Sequence, residues 1–269
     1  MSDEKAVREA WDKFGAAYDE GLGASFTAIA EAALRFADIR AGLTLLDVAA
    51  GSGALSIPAA RLGAEVLATD LSPGMLGLLQ HRAEEARISG IRTAVMDGKA
   101  LELDDGAFDR VCSQFGVMLF PEPEAGLREM VRVTAPGGLG VMVIFGEPER
   151  VVPVWLFGQA LRSTLPDVEL PAVGRLQTEP ASLRDAMQGA GYADVRLETL
   201  DRGVAVGSAS DAWDVLSSSA PGLAMFLRQL QDAQVAAVRD AFVASVVAGY
   251  GANVAELPVE VIVGIGRKR

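Results

Sequence analysis

The chain has 269 residues, half of them hydrophobic, with one cysteine, one histidine and a formal net charge of −12. That length suits one large α/β domain or a core carrying an inserted cap, and the apolar content excludes a disordered chain. The negative field repels nucleic acid, with no basic run beyond Arg267-Lys268-Arg269 to offset it, and a lone Cys112 forms neither an internal disulfide nor a cysteine-based zinc cluster.

From the amino end, residues 1–40 predict two helices. Val7, Trp11, Phe14 and Tyr18 recur at spacings of four, three and four, which is one helix face. Gly21 and Gly23 read as a break. A second helix is expected from Phe26 to Ile39, with Ile29, Ala33 and Phe36 on one side. The residues from Met1 to Lys5 are charged and no apolar segment follows them, so no signal peptide is expected. With a single cysteine, a reducing cytoplasm is the expected location.

The rhythm then changes to alternating strands and helices. Leu43 to Val48 reads as a buried parallel strand, Ala54 to Leu62 as a helix and Glu65 to Asp70 as a second strand. Ser72 is a candidate N-cap, with Pro73 in the first turn of a helix running to about Ile88. Ile91 to Met96 is a third strand and Phe108 to Phe115 a fourth. A helix from Glu122 to Thr134 closes at Ala135-Pro136-Gly137-Gly138, and Leu139 to Phe145 is a fifth strand. That last run is the longest apolar one. It is far short of the roughly 20 residues a bilayer span needs, so no membrane insertion is expected.

Residues 147–180, with Pro153, Pro166, Pro171 and Pro180, read as a cap insertion. Ser182 to Ala190 is a helix and Asp194 to Val206 a strand. An Ala-rich helical insertion spans 211–247, within the broader segment 209–249. Pro258 to Gly266 alternates as a terminal strand. The domain reading is therefore a helical lid over 1–40, a core over 41–146, the cap over 147–180, and the rest of the core over 181–269. The fold class is α/β, a doubly wound and mostly parallel sheet.

Four segments at the carboxyl ends of these strands carry candidate chemistry. In Asp47-Val48-Ala49-Ala50-Gly51-Ser52-Gly53, a strand feeds a turn with two glycines. Gly51 and Gly53 let a ligand lie against bare backbone, and the following helix start offers N–H groups to a carboxylate or phosphate. The same turn is also found as an ordinary strand–helix connection. Asp70 ends the second strand 17 residues after Gly53. A carboxylate there can accept two ribose hydroxyls, or it can cap the next helix. Asp97-Gly98-Lys99-Ala100 follows the third strand, where an acid can accept from an exocyclic amine or can simply form an Asp-Gly turn. Ser113, Gln114 and Phe115 leave the fourth strand next to the point where strand order reverses, and are expected to face the crevice, with Met118 close behind.

Taken together, these segments resemble the class I S-adenosylmethionine-dependent methyltransferases. Asp47 to Gly53 resembles the family's acidic, glycine-rich first motif, with Ala49 in place of its first glycine. Asp70-Leu71-Ser72-Pro73-Gly74-Met75-Leu76 resembles the segment that follows it. Asp97-Gly98, the Phe108-Asp109-Arg110-Val111 strand and Ala135-Pro136-Gly137-Gly138 occur in the family's order. The likeness covers about residues 40–146 plus the terminal strand, and resembles the branch that includes the ubiquinone and menaquinone biosynthesis methyltransferases.

The resemblance implies a seven-stranded sheet whose last strand is antiparallel. It implies S-adenosyl-L-methionine as cofactor, with its carboxylate near Gly51 and Gly53 and its ribose on Asp70, beside Leu71 and Met75. Adenine would lie against Asp97, Gly98 and Ala100. Asp47 would orient the turn and the amino group, Tyr18 would fold over the cofactor from the first helix, and Ser113 and Gln114 would complete the site. Because Ala49 adds only a methyl, binding is expected to survive the replacement.

The expected partner is a small-molecule methyl acceptor; oligomeric state has no signature here. Phe115, Met118, Trp155, Phe157, Trp213 and Met225 are the candidate acceptor-side residues, the alternative being that the first two are core and the other four pack the cap on the core. No metal site is expected. His81 reads as surface, which leaves N-, C- or S-methylation, O-methylation of an acidic acceptor, or a base such as Glu122, Glu124 or Tyr18. Two rival readings share the motifs: a nicotinamide-dependent oxidoreductase, and a cofactor-binding relative that catalyses a non-methylating reaction such as a cyclisation. Against the first, Ser56 stands where a third glycine belongs and no Tyr-x-x-x-Lys pair exists.

Overall fold

A computed structural model describes residues 2–168 and 182–269. In chain order it contains α1 (Ser2–Ala33), β1 (Thr44–Val48), α2 (Ser56–Arg61), β2 (Glu65–Asp70), α3 (Pro73–Glu85), β3 (Ile91–Val95) and β4 (Phe108–Gln114). There follow α4 (Pro123–Val133), β5 (Thr134–Phe145), α5 (Val152–Thr164), α6 (Leu183–Ala190), β6 (Ala193–Ala205), α7 (Ala209–Ser219), α8 (Pro221–Leu227), α9 (Asp232–Tyr250) and β7 (Glu256–Arg267). The strands form one seven-stranded sheet in the order β3-β2-β1-β4-β5-β7-β6. Pairing is parallel from β3 to β5, while β7 runs antiparallel to both β5 and β6.

The order reverses at β1, between β2 and β4, so the chain leaves the sheet in opposite directions there and opens a crevice at the carboxyl edge. Leu45, Leu46 and Val48 of β1 are fully buried, as a central parallel strand covered on both faces requires. Ser72 caps α3 as its sequence suggests, its Oγ accepting from the Met75 N–H at 3.0 Å, with Pro73 in the first turn.

Two expectations change and a third is refined. The two amino-terminal helices are one, because Gly21 and Gly23 do not break α1. A Cβ on Gly21 would lie 2.2 Å from Ser219 Oγ of α7, and one on Gly15 would lie 2.6 Å from Met75 Sδ of α3. The small residues are there for close helix approach, which offsets the roughly 1 kcal/mol that each costs in helix propensity. Strand β5 starts at Thr134 rather than Leu139. Thr134 pairs with Phe108, and the Ala135-Pro136-Gly137-Gly138 segment is a bulge before Arg110 meets Leu139. The helical insertion expected over 211–247 resolves into three helices, divided where Pro221 opens α8 and where Gln231 and Gln234 form a capping box for α9.

Helix α5 lies within the segment read as a cap. Pro171 and Pro180 of that segment lie outside the described residues. With α7, α8 and α9, α5 closes a second apolar core around Phe157, Leu161, Trp213 and Phe242, apart from the main core on the sheet.

Candidate active site

The turn after β1 carries the tightest backbone. Gly51 and Gly53 adopt φ of +56° and +85°. Ala49 also lies in the left-handed region, at +56°, which for a residue with a Cβ costs about 1–2 kcal/mol. The replacement of a glycine by Ala49 is therefore more than an added methyl. Gly116, just past β4, makes room for it, since a Cβ there would stand 2.5 Å from that of Ala49.

Asp70 is bound into this turn. Its Oδ2 accepts the Gly51 N–H and its Oδ1 the Ser72 N–H, each at 2.9 Å. Burial raises the Asp70 carboxyl above the usual range, and the N–H groups of Ser72, Gly51 and Leu71 pull it back. With three backbone N–H groups directed at it, the carboxylate still has acceptor capacity left for a ligand. Leu71 is half-buried beside it. Met75 is buried between Gly15 of α1 and Gly51.

Asp47 is 1% exposed, and its Oδ2 accepts the Ser56 hydroxyl at 2.6 Å. Burial pushes its carboxyl up to about 7, with the Ser56 hydrogen bond opposing and the nearby Asp70 adding to the rise. Ser56 thus supports the acid of the first motif.

Tyr18, Asp47, Ala49, Gly51 and Gln114 line one cavity at this turn. Gln114 Nε2 donates to the Phe26 carbonyl of α1 at 2.9 Å, which leaves Gln114 Oε1 buried with no protein partner. The Tyr18 phenol is raised well above its ordinary value, first by burial and then by Asp70, so it stays a neutral hydroxyl that donates or accepts a hydrogen bond but does not act as a phenolate. That removes Tyr18 from the candidate bases. Glu122 and Glu124 are exposed and do not line the cavity, and His81 is exposed beside Glu85.

Asp97 Oδ1 accepts the Lys99 N–H at 2.9 Å and its carbonyl the Ala100 N–H at 3.0 Å, closing a turn whose Ala100 is exposed. A Cβ on Gly98 would meet the Phe120 ring at 2.7 Å, which fixes the turn against the core. The Met96 N–H donates to the Asp70 carbonyl, so the Asp97 turn and Asp70 lie on adjacent strands at one edge.

The fourth-strand residues divide. Gln114 reaches the cavity. Ser113 is buried, and its hydroxyl accepts the Val117 N–H at 3.1 Å, so it braces the turn behind rather than lining the site. Phe115, at φ +57°, stacks on Phe145 at 4.2 Å and lies 4.8 Å from Phe26. Met118 is buried in the main core.

The other acceptor-side candidates lie elsewhere. Phe157 and Trp213 are buried in the second core, 6.0 Å apart, with Trp213 against Phe242. Trp155 is half-buried beneath the Arg162 guanidinium, and Met225 is 44% exposed. None of these four borders the cavity at the glycine turn.

Sequence reasoning missed the residues that fasten α1 over the edge. Asp12 Oδ1 accepts the Ser72 hydroxyl at 2.6 Å and the Gly74 N–H at 3.0 Å. Arg82 Nη1 donates to Asp19 Oδ1 at 2.8 Å and to the Ser52 carbonyl of the glycine turn at 3.0 Å, while its Nη2 reaches Thr27. Asp12 and Asp19, seven positions apart on α1, are the available signal, but their partners are 60 or more positions away. Among the described residues no group of three or more His, Cys, Asp or Glu side chains converges as a metal site, and no helix is long and apolar enough to cross a membrane.

Residues 46–142 match the protein-family model described as a methyltransferase domain. A demethylmenaquinone methyltransferase of Thermus thermophilus is 36% identical over 180 residues, covering 60% of this chain and 79% of that protein. An uncharacterized protein of Mycobacterium tuberculosis is 44% identical over 107 residues, 39% of each chain, so the match spans about two fifths of the length of such relatives. Among solved structures, the YcgJ protein of Bacillus subtilis superposes with a TM-score of 0.57 at 17% identity, over 91% of this chain and 98% of that one. The chain belongs to the class I methyltransferase family, in the branch that includes the demethylmenaquinone methyltransferases.

Proposed function

We propose that the chain transfers the methyl group of S-adenosylmethionine to a small-molecule acceptor. The observation that carries this reading is the joining of the Gly51 N–H to the Asp70 carboxylate, in a turn that shares one cavity with Asp47, Tyr18 and Gln114. The donor set fits the cofactor. The unpartnered Gln114 Oε1 and the Asp47 carboxyl suit an ammonium group, the free lone pairs of Asp70 suit ribose hydroxyls, and Asp97 with Gly98 and Ala100 suits adenine. Gly51, Gly53 and Ala49 supply the backbone bed, with Leu71 and Met75 packed alongside.

When bound, the cofactor supplies an electrophilic sulfonium methyl. What the chain must add is in-line positioning of a nucleophile, which can lower a barrier by about 7–11 kcal/mol in favourable cases. Asp47 and Gln114 fix the amino-acid end, Asp70 fixes the ribose, and α1 excludes water from above. Phe115, held in a strained conformation against Phe145 and Phe26, is the acceptor-side residue nearest this edge. With the Tyr18 phenol kept neutral and no histidine at the cavity, the arrangement suits an acceptor that does not need a protein base.

In this reading residues 1–40 are the lid, 41–146 the cofactor core, and 147–180 and 209–249 caps on the remaining sheet. The family model and the Thermus relative favour methyl transfer over the oxidoreductase and cyclisation readings. The protein is read as acting in the cytoplasm, without nucleic acid.

Calorimetric titration with S-adenosylmethionine, S-adenosylhomocysteine and NAD tests the proposal, followed by a methyl-transfer screen over amines, phenols and carbon acids. Binding of both adenosyl ligands, no heat with NAD and one methylated product are expected. Binding of NAD alone contradicts the proposal.

A further inference from the structure

The connection between β3 and β4, residues 96–107, holds the Asp97 turn and contains no helix or strand of its own. The turn has its own bonds, with Lys99 Nζ 3.6 Å from Asp97 Oδ2, and beyond it the connection is gripped by a pair of side chains one turn apart on α4. Arg132 Nε and Nη2 grip the two oxygens of Glu129 at 2.8 Å each, a two-pronged ion pair. The same guanidinium donates to the Leu101 carbonyl at 2.8 Å, the Leu103 carbonyl at 2.6 Å and Asp105 Oδ1 at 2.7 Å. Glu129 Oε2 in turn accepts the Leu101 N–H at 2.7 Å. Both backbone groups of Leu101 are therefore bound by this pair. Leu101 is itself 5% exposed and directly follows the Asp97–Ala100 turn. The Gly106 N–H closes the far end on the Arg132 carbonyl at 2.9 Å.

We infer that Glu129 and Arg132 are positioning residues for base recognition: by fixing both backbone groups of Leu101 they set the direction of Asp97, and so the ability of the site to tell adenine from hypoxanthine. The inference rests on the proposed cofactor reading, in which Asp97 accepts from the exocyclic amine. Adenine offers an N–H donor at that position, whereas hypoxanthine offers an oxygen that faces the carboxylate lone pairs. Only an acid held in place can use the difference. A planar guanidinium fork reaching two carbonyls and an acid at once holds such a connection with little lost freedom, which neither lysine nor an apolar side chain can match.

The test is calorimetric affinity for S-adenosylhomocysteine and S-inosylhomocysteine in the wild type, Arg132→Met, Arg132→Lys and the milder Glu129→Gln, which keeps an acceptor for the Leu101 N–H. The wild type is expected to prefer the adenosyl ligand by roughly 10- to 100-fold. Arg132→Met should bring the ratio to within about threefold, with Arg132→Lys and Glu129→Gln between. A brace with a merely structural role would lower the melting temperature and weaken both ligands alike. An unchanged ratio in Arg132→Met or, should that variant not fold, in Glu129→Gln overturns the inference, as does a wild type that binds both ligands equally. A wild type that binds neither ligand overturns the cofactor reading itself.

Discussion

The floor of the site and the helix above it are held by different means. In the floor, main-chain groups do most of the holding: the Gly51 and Ser72 N–H groups grip Asp70, and the Ala50 N–H grips the Thr69 carbonyl. Above it, α1 is attached through side chains distant in sequence, Asp12 on Ser72, Arg82 on Asp19 and Thr27, Gln114 on Phe26 and Ser219 on Ala17. A backbone-held floor opens only with the sheet, whereas the part of α1 ahead of Phe26, Ile29 and Ala33, which sit in the main core, is fastened by side-chain links and can loosen by itself. The segment that resembles the family's first motif falls in the first region, and the side chains that fasten α1 fall in the second.

The sharpest way to break this comparison is to damage the helical side alone. Trp213→Ala should cost about 3–5 kcal/mol of stability by denaturant unfolding, because the indole fills the second core. The folded variant should bind S-adenosylhomocysteine within about twofold of the wild type. A large loss of affinity would mean that the second core and the floor are not separate.

Damage to the floor should do the reverse. Asp70→Ala removes the proposed ribose acceptor and leaves the Gly51 and Ser72 N–H groups without their partner, so calorimetry should show affinity down by about 100-fold or more.

Asp47 sharpens the floor's electrostatics. Its carboxyl is raised in the folded protein to about 7 from an ordinary 3.8. The folded state therefore holds a proton that the unfolded chain has released, and stability falls as pH rises between those values and is level above them. A cation beside Asp47 favours the ionised form. S-adenosylhomocysteine should thus bind up to about tenfold more tightly at pH 8 than at pH 6, with proton release detectable by calorimetry in buffers of different ionisation enthalpy. Asp47→Asn should flatten both dependences.

The smallest effect concerns the cover. Arg82→Met should speed hydrogen exchange over Tyr18 to Thr27 by about tenfold, through loss of the bonds to Asp19 and Thr27, and leave the exchange of Gly51 and Asp70, whose N–H and carboxylate hold each other, unchanged. Equal acceleration in both places would show that α1 and the floor open as one unit.

The same contrast explains how much could be read from the sequence. The alternation of apolar runs and turns placed the seven strands and the crevice, because a parallel strand and its following turn are local patterns. Asp47, Asp70, Gly51 and Gln114 were legible for the same reason: each sits at a strand end whose position the apolar run defines. Gly21 misled because a glycine that permits close helix contact looks the same in sequence as one that ends a helix, and Gly23 because it leaves room for the Asp19 side chain one turn before it. Trp155, Phe157, Trp213 and Met225 are large and apolar, as pocket residues and core residues both are; only the packing of Trp213 on Phe242 shows the second core. Ser113 illustrates the limit of strand-end logic, since one hydroxyl at the right edge is already engaged by the Val117 N–H. The Glu129–Arg132 brace reads as an ordinary i,i+3 surface pair until the connection that it grips is in view.

The most direct test of the central claim is amide chemical-shift mapping during titration with S-adenosylhomocysteine. The account predicts saturable shifts at Gly51, Gly53, Asp70, Gly98 and Gln114, with the Trp213 indole N–H unmoved. Shifts confined to the α5, α7 and α9 side, with Gly51 and Asp70 silent, would contradict it.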